Sequence, residues 1–452
     1  MNFKNIIVNN QELTYRNSDI KVEVPESYIK KDSYFRAAWV SYIVNDFEPS
    51  PDKETMKKNL LEVLGYLEYM NMNAIIFHVR THNNAYYKTK RAPILPKFGT
   101  YESFEEWDYL TWFIDECHSR GIEFHAWMNP YRIKTAGYPA GTTADDVAKM
   151  YENYPVNPAH DKNNIIMSYD GGAILNPCKD NVQEYIIDTC LEFLENYNAD
   201  AIHFDDYFYV KMTEKNEILI EADQINFENH IRRTPNCPYK PDSFEDKQQW
   251  RRDNVDKFIY DLSCAIKKFN KENNREVQLG ISPTGIYANG DGKVTYDEKG
   301  RAITTGSCTR GQEHYESYLY CDSKKWVEEE WIDYLIPQTY WGLSHPVAGY
   351  ADVAGWWDKV FKYSKVNLYC GMGIYMNRHE RGESWYSDPN EAYNEVLYAS
   401  SLENVKGISV FSFKSMVSSI KDEAATPHNA LEGIRKELWN DKVPTPKTLA
   451  NK

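Results

Sequence analysis

Two aspartates stand side by side in the stretch "AIHFDDYFYV", residues 201–210, where an apolar run ends and aromatics begin. Carboxyl groups serve as general acids and bases, and two in contact cannot both ionise freely. One of the pair then keeps its proton nearer neutral pH while the other carries the charge. Asp205 and Asp206 could thus place an acid and an anion in one site. Two other readings compete: such a pair can cap the turn after a strand, and His125, His203 and Asp205 could together hold a metal. His125 comes from a different stretch than the other two, and the three form no recognised ligand motif, so no metal and no cofactor is expected.

The stretch reads as a buried strand, and strand side chains alternate between two faces. Ile202 and Phe204 are bulky and apolar and should pack outward. Ala201, His203 and Asp205 then face inward, with Asp206 just past the strand end. The same parity sends Ile75, Phe77 and Val79 outward, leaving His78 and Arg80 inward. It sends Phe124, Ala126 and Met128 outward, leaving His125, Trp127 and Asn129 inward. In a further strand, Ile336, Gln338 and Tyr340 share the inner side. Arg80, Asn129, Asp205, Gln338 and Tyr340 are the polar residues expected at one wet end, with Asp206 beside them. His78, His125 and His203 read equally well as hydrogen-bonded core histidines.

What positions these residues is an alternation of short β-rich runs with amphipathic helical patterns. Strand candidates begin at Phe35, Asn73, Ile122, Asp200, Gln278, Ile332, Asn367 and Gly407. The clearest helical patterns between them are "KETMKKNLLEVLGYLEYM", "WDYLTWFIDECHSRG", "DNVQEYIIDTCLEFLENY", "QWRRDNVDKFIYDLSCAIKKF" and "ADVAGWWDKVFKYSK". In "SRGIEF" a glycine separates helix end from strand start, as a C-cap does. Such repeated βα units predict an α/β fold, a (β/α)₈ TIM barrel. A doubly wound nucleotide-binding sheet would need a glycine fingerprint after the first strand, and "AWVSYIVND" has none. The connections after strands three, four and five are long, and in a barrel they rise from the C-terminal face, where active sites are built. Residues 1–32 read as an extended arm, 33–440 as the barrel and 441–452 as a tail.

Composition narrows the partners. The 452 residues carry a formal charge of −15, which repels a phosphate backbone and argues against nucleic acid. Aromatics make up 14%, with 35 Tyr and 12 Trp, and flat rings with a polar tip suit sugar faces as well as ordinary cores. The eight cysteines form no CxxC pair, a usage that fits a reducing compartment. No apolar run is long enough to span a membrane or to act as a signal peptide at the start. The expectation is a cytoplasmic protein with no membrane partner, or an exported one if a leader has been removed.

The blocks "FRAAWVS", "NAIIFHVR" followed by "AYYKTKRAP", "AWMNPYR", "ILNPCKDNVQEYI", "AIHFDDYFY", "GISPTGIYAN" and "YLIPQTYW" resemble those of glycosyl hydrolase-like family 10. The resemblance spans roughly residues 33 to 415. It implies a barrel glycoside hydrolase of a bacterial family that includes digestion of denuded peptidoglycan glycan strands, and hence a glycan as substrate. Adjacent aspartates cannot easily flank a glycosidic bond from opposite faces. They can cooperate when the substrate's own 2-acetamido group is the nucleophile, as in hexosaminidases of the O-GlcNAcase type. On that reading Asp206 is the acid, Asp205 orients the acetamido N–H, and Tyr340 donates to the acetamido oxygen. Arg80, Asn129, His125, His203 and Gln338 are the polar substrate-binding candidates, with Trp127 and Trp341 as stacking platforms. The acid glutamate of chitinases is replaced at this strand by Tyr207. An ordinary two-carboxylate glycosidase would take Asp205 as nucleophile and Glu313, Glu316 or Glu380 as acid, and a sugar-binding barrel without chemistry is the third reading.

Overall fold

A computed structural model of the chain describes residues 2–8, 10–168, 171–206, 208–209, 223–315, 319–378 and 384–451. Its centre is a closed barrel of eight parallel strands, hydrogen-bonded in chain order. They are β1 (Phe35–Val40), β2 (Ala74–Arg80), β3 (Glu123–Met128), β4 (Ala201–Phe204), β5 (Gln278–Ile281), β6 (Tyr334–Leu335), β7 (Asn367–Gly373) and β8 (Val405–Phe411). Helices α1 (Lys53–Tyr69), α2 (Tyr109–Ser119), α3 (Asp180–Asn196), α4 (Phe244–Asn273), α5 (Ser323–Glu328), α6 (Tyr350–Val360), α7 (Glu391–Ser401) and α8 (Phe413–Lys421) follow them in turn. This is the (β/α)₈ TIM barrel that the alternation predicts.

Local signals explain where the elements start and stop. Asp52, Asp108 and Ser243 each accept a backbone N–H in the first turn of α1, α2 and α4, satisfying donors that the helix itself leaves open. Helix α2 ends as "SRG" suggests: Gly121 takes φ +71° and donates its N–H to His118 O, and β3 begins two residues later.

Strand alternation divides the core into two layers. Ile75, Phe77, Phe124, Ala126, Ile202, Phe204 and Leu279 pack outward against the helices. Phe35, Ala37, Trp39, Ala74, Ile76, Trp127, Ala201, Tyr334, Ile336 and Tyr369 fill the interior. Tyr334 fits there because β5 yields space: a Cβ on Gly280 would lie 1.8 Å from its ring. The Tyr334 hydroxyl lies 3.1 Å from His203 Nδ1 and 2.7 Å from His125 Nδ1. Trp39 Nε1 donates to His203 Nε2 at 3.2 Å, and His125 Nε2 donates to Glu123 at 3.0 Å. Because the indole can only donate, a neutral His203 carries its proton on Nδ1 and passes it toward Tyr334, which donates to His125. Burial, then the neighbouring His125, holds His203 well below its usual pKa, so it is neutral. Every polar atom of this interior chain has a partner, as a buried network requires.

The barrel floor is crossed by the C-terminal segment. Val443 O accepts from Asn73, Pro444 O from the Tyr34 N–H, and Lys447 O from Asn367. Thr445 Oγ1 donates to Glu123. At the other end, the β3–α3 connection carries a small antiparallel sheet of Arg132–Lys134, Ala173–Leu175 and Ile165–Met167. The N-terminal arm forms two short antiparallel pairs, Phe3–Asn5 with Glu23–Pro25 and Ile7–Val8 with Gln11–Glu12. Among the described residues, no helix is long and apolar enough to cross a membrane.

Candidate active site

Asp205 directly follows β4, and Asn129 directly follows the adjacent β3, so both side chains enter the barrel mouth side by side. Asn129 Nδ2 donates to Asp205 Oδ2. The carboxylate can only accept, which fixes the amide the other way round toward His78. His78 Nε2 therefore donates to Asn129 Oδ1, at 2.9 Å, and its Nδ1 lies 2.8 Å from Ser41 Oγ. Burial, then Arg132, holds His78 well below its usual pKa, leaving it neutral with its proton on Nε2. Ser41, immediately after β1, is itself held by its N–H to Asp46 Oδ2 at 2.8 Å.

Asp206 sits one residue further on, beside Gln338 and within the field of Arg132. Its carboxyl is pushed up to about 7, first by burial and then by the Asp205 charge, with Arg132 and the Gln338 amide acting the other way. Gln338 is anchored by its Nε2 donating to Ser282 O at 2.8 Å. Asp205 and Asp206 are only 4% and 8% exposed, so the mouth is far more enclosed at this point than a solvent-filled rim. Low water content strengthens the coupling between the two charges. One acid and one anion at neutral pH is the arrangement the adjacent carboxyls predict.

Tyr340 stacks on Phe411, with centroids 5.4 Å apart and planes at 13°, and meets Trp39 and Tyr375 edge-on. Tyr375, on the turn after β7, is raised by burial and then by Asp206, which places it close to the pair. Trp127 faces inward, and His78 covers one of its faces. The indole Nε1 of Trp127 is buried and, among the described residues, has no hydrogen-bond partner.

Four expected binding residues lie elsewhere. The ladder between β2 and β3 shifts between His78 and Arg80, so Arg80 pairs with the outward-facing Met128. Its guanidinium lies against the Tyr185 ring of α3 and donates to Asn83, in the layer between barrel and helices. His125 and His203 are fully buried in the interior chain below the mouth, bonded to Tyr334. Trp341 packs toward the outer core, where a Cβ on Gly285 would lie 2.8 Å from its ring. Glu313 accepts from the Asn289 backbone N–H at 3.0 Å in the β5–α5 connection, while Tyr207, Glu316 and Glu380 lie outside the described residues. Among the described residues, no group of three His, Cys, Asp or Glu side chains could hold a metal ion.

The sequence reading passed over Arg132, Tyr375 and Ser41. Arg132 opens the small sheet after β3, and its charge acts on His78, His82 and Asp206 together. The only signal for it was its place three residues after Asn129 in "NPYR".

The family described as glycosyl hydrolase-like 10 matches residues 34–387. The glycosyl hydrolase YngK of Bacillus subtilis (strain 168) is 30% identical over 405 residues, covering 88% of this chain and 72% of that protein. The glycosyl hydrolase DigH of Escherichia coli (strain K12) is 28% identical over 336 residues, covering 74% and 69% respectively. Among solved structures, the spore cortex-lytic enzyme SleL of Bacillus megaterium QM B1551 aligns with 97% of this chain and 81% of its own, at 10% identity and a TM-score of 0.43.

Proposed function

The chain belongs to the glycosyl hydrolase-like 10 family, and from that premise we propose that it cleaves N-acetylhexosamine-containing glycans with help from the substrate's own acetamido group. Peptidoglycan glycan strands or their fragments are the substrates that suit this chemistry. The observation that carries the proposal is the adjacency of two unlike carboxyls. Asp205 is oriented by Asn129, and burial followed by the Asp205 charge pushes the Asp206 carboxyl up to about 7.

Asp206, protonated at neutral pH, donates its proton to the glycosidic oxygen as the bond to C1 breaks. Asp205 accepts the acetamido N–H, so that the carbonyl oxygen attacks C1 while positive charge grows on the amide. Tyr340 donates to that carbonyl group and holds it under C1. The product of this step is a bicyclic oxazolinium ion, its N–H still held by Asp205, and a departed alcohol. Water then adds at C1 as the bond from C1 to the acetamido oxygen breaks, giving its proton to Asp206, and the configuration at C1 is retained. Trp127 Nε1–H and Gln338 supply further polar contacts to the sugar ring. Side-by-side carboxylates suit this route because the attacking group comes from the substrate, and no second carboxylate is needed on the opposite face.

The test is a screen of the purified protein against denuded peptidoglycan strands, chitooligosaccharides, aryl N-acetylhexosaminides and their 2-hydroxy counterparts, read by mass spectrometry. Turnover should require the acetamido group, and a thiazoline mimic of the bicyclic intermediate should inhibit. Equal turnover of the 2-hydroxy sugars would remove the proposal.

A further inference from the structure

We propose that His78 is a positioning residue for Asp205, acting through Asn129 as the middle member of a relay that runs from Ser41 to the carboxylate. The inference rests on the proposed role of Asp205 and goes beyond it, because it assigns a task to a histidine that never reaches the substrate.

An asparagine amide is nearly symmetric in shape but opposite in polarity at its two ends. Turned one way, Asn129 gives Asp205 an N–H; turned the other way, it would set an oxygen against a carboxylate. Something must select the first orientation, and His78 is the group in contact with the far end of the amide, at 2.9 Å. The selection works only while the proton sits on Nε2. Ser41 secures this by offering its hydroxyl to Nδ1 at 2.8 Å, and the backbone of Ser41 is fixed in turn by Asp46. The imidazole cannot turn away, since it lies flat on Trp127 with centroids 3.7 Å apart and is fully buried. Arg132, His82 and His203 lie around it and disfavour an imidazolium, and the Tyr86 ring meets it edge-on. Each of the three bonded residues comes from the top of a different strand, β1, β2 or β3, so the relay links three neighbouring strand ends to the fourth.

Two substitutions separate positioning from packing. His78→Leu keeps bulk but removes the donor, and His78→Gln keeps an N–H at about the distance of Nε2. With the leucine, kcat should fall about tenfold or more while KM stays within about threefold, since His78 itself makes no substrate contact and the leucine still packs against Trp127. The Asp205 anion loses a donor, so the acidic limb of the pH–rate profile should move up by about one unit. The glutamine should restore both. Carboxyl ¹³C titration of the Asp205–Asp206 pair reads the same shift without turnover. A wild-type protein inactive on every N-acetylhexosaminide would therefore sink the functional proposal while the relay is still judged. A folded leucine variant with the wild-type titration and profile would overturn the relay. Should that variant fail to fold, ¹⁵N spectra of wild-type His78 decide the matter: a proton on Nε2 is expected, and a proton on Nδ1 alone would contradict it.

Discussion

The rings of His78 and Trp127 lie face to face, 3.7 Å apart between centroids and 4° from parallel. One indole face is therefore spent inside the protein, and the buried Nε1–H has no partner among the described residues. Trp127, expected as a stacking platform, serves on the proposed function as a hydrogen-bond donor instead. Trp127→Phe keeps the stack and deletes the donor. KM should rise by about three- to tenfold, the worth of one hydrogen bond, with the melting temperature changed little. A fall in melting temperature at unchanged KM would assign the residue to packing instead.

Asp206 and Asp205 should respond differently to removal of charge. Asp206→Asn removes a proton donor, so about 10²–10⁴-fold of general-acid help is lost on natural glycans. The loss should be small on aryl glycosides whose leaving groups need little protonation. Asp205→Asn should slow both kinds of substrate alike, because its task is to stabilise charge on the acetamido group. In the wild type, kcat should decline as pH rises through about 7, where Asp206 gives up its proton. Rescue of Asp205→Asn by azide would point to a direct nucleophile and an ordinary two-carboxylate enzyme.

Much of this site could be read from strand parity, and where the reading failed the reason is local. Alternation assigns Asn129, Asp205 and Ile336 correctly because the β3–β4 ladder carries no register shift up to Met128 and Phe204, and Ile336 directly continues β6. It misplaces Arg80 because one shift in the β2–β3 ladder after His78 skips Val79 and reverses the face of Arg80, and hydrophobic pattern carries no sign of such a shift. Inward parity alone also cannot separate depth: His125, His203 and Asp205 share a face, yet the first two lie in the closed interior and only the third reaches the mouth. Arg132 belongs to a connection with its own small sheet, where barrel periodicity says nothing.

A second carboxyl pair governs stability rather than chemistry. Glu391 and Glu395 lie one turn apart on α7 and are fully buried, with Glu391 accepting the Leu343 N–H at 2.6 Å. Burial pushes Glu391 up to about 7, and burial followed by the Glu391 charge pushes Glu395 well up. Acids raised in the folded state bind protons more tightly than the unfolded chain does. Their stabilisation is present at low pH and is lost as pH climbs from the ordinary glutamate range through about 7. Asp46 and Asp256, each raised to about 6 by burial, act in the same direction. The melting temperature should fall between about pH 5 and about pH 8, and Glu395→Gln should raise it at the upper end and flatten the slope. An unchanged slope in Glu395→Gln would show that the pair stays neutral throughout.

The central claim is that the acetamido oxygen of the substrate makes the bond to C1. It is tested most directly by rates on aryl hexosaminides whose acetamido methyl carries no, one, two or three fluorines. Fluorine withdraws electrons from that oxygen and weakens it as a nucleophile, while leaving the leaving group and the Asp206 proton donor as they were. The account predicts a steep, progressive fall in kcat/KM across the series. Rates independent of fluorination would contradict it and place the nucleophile on the protein.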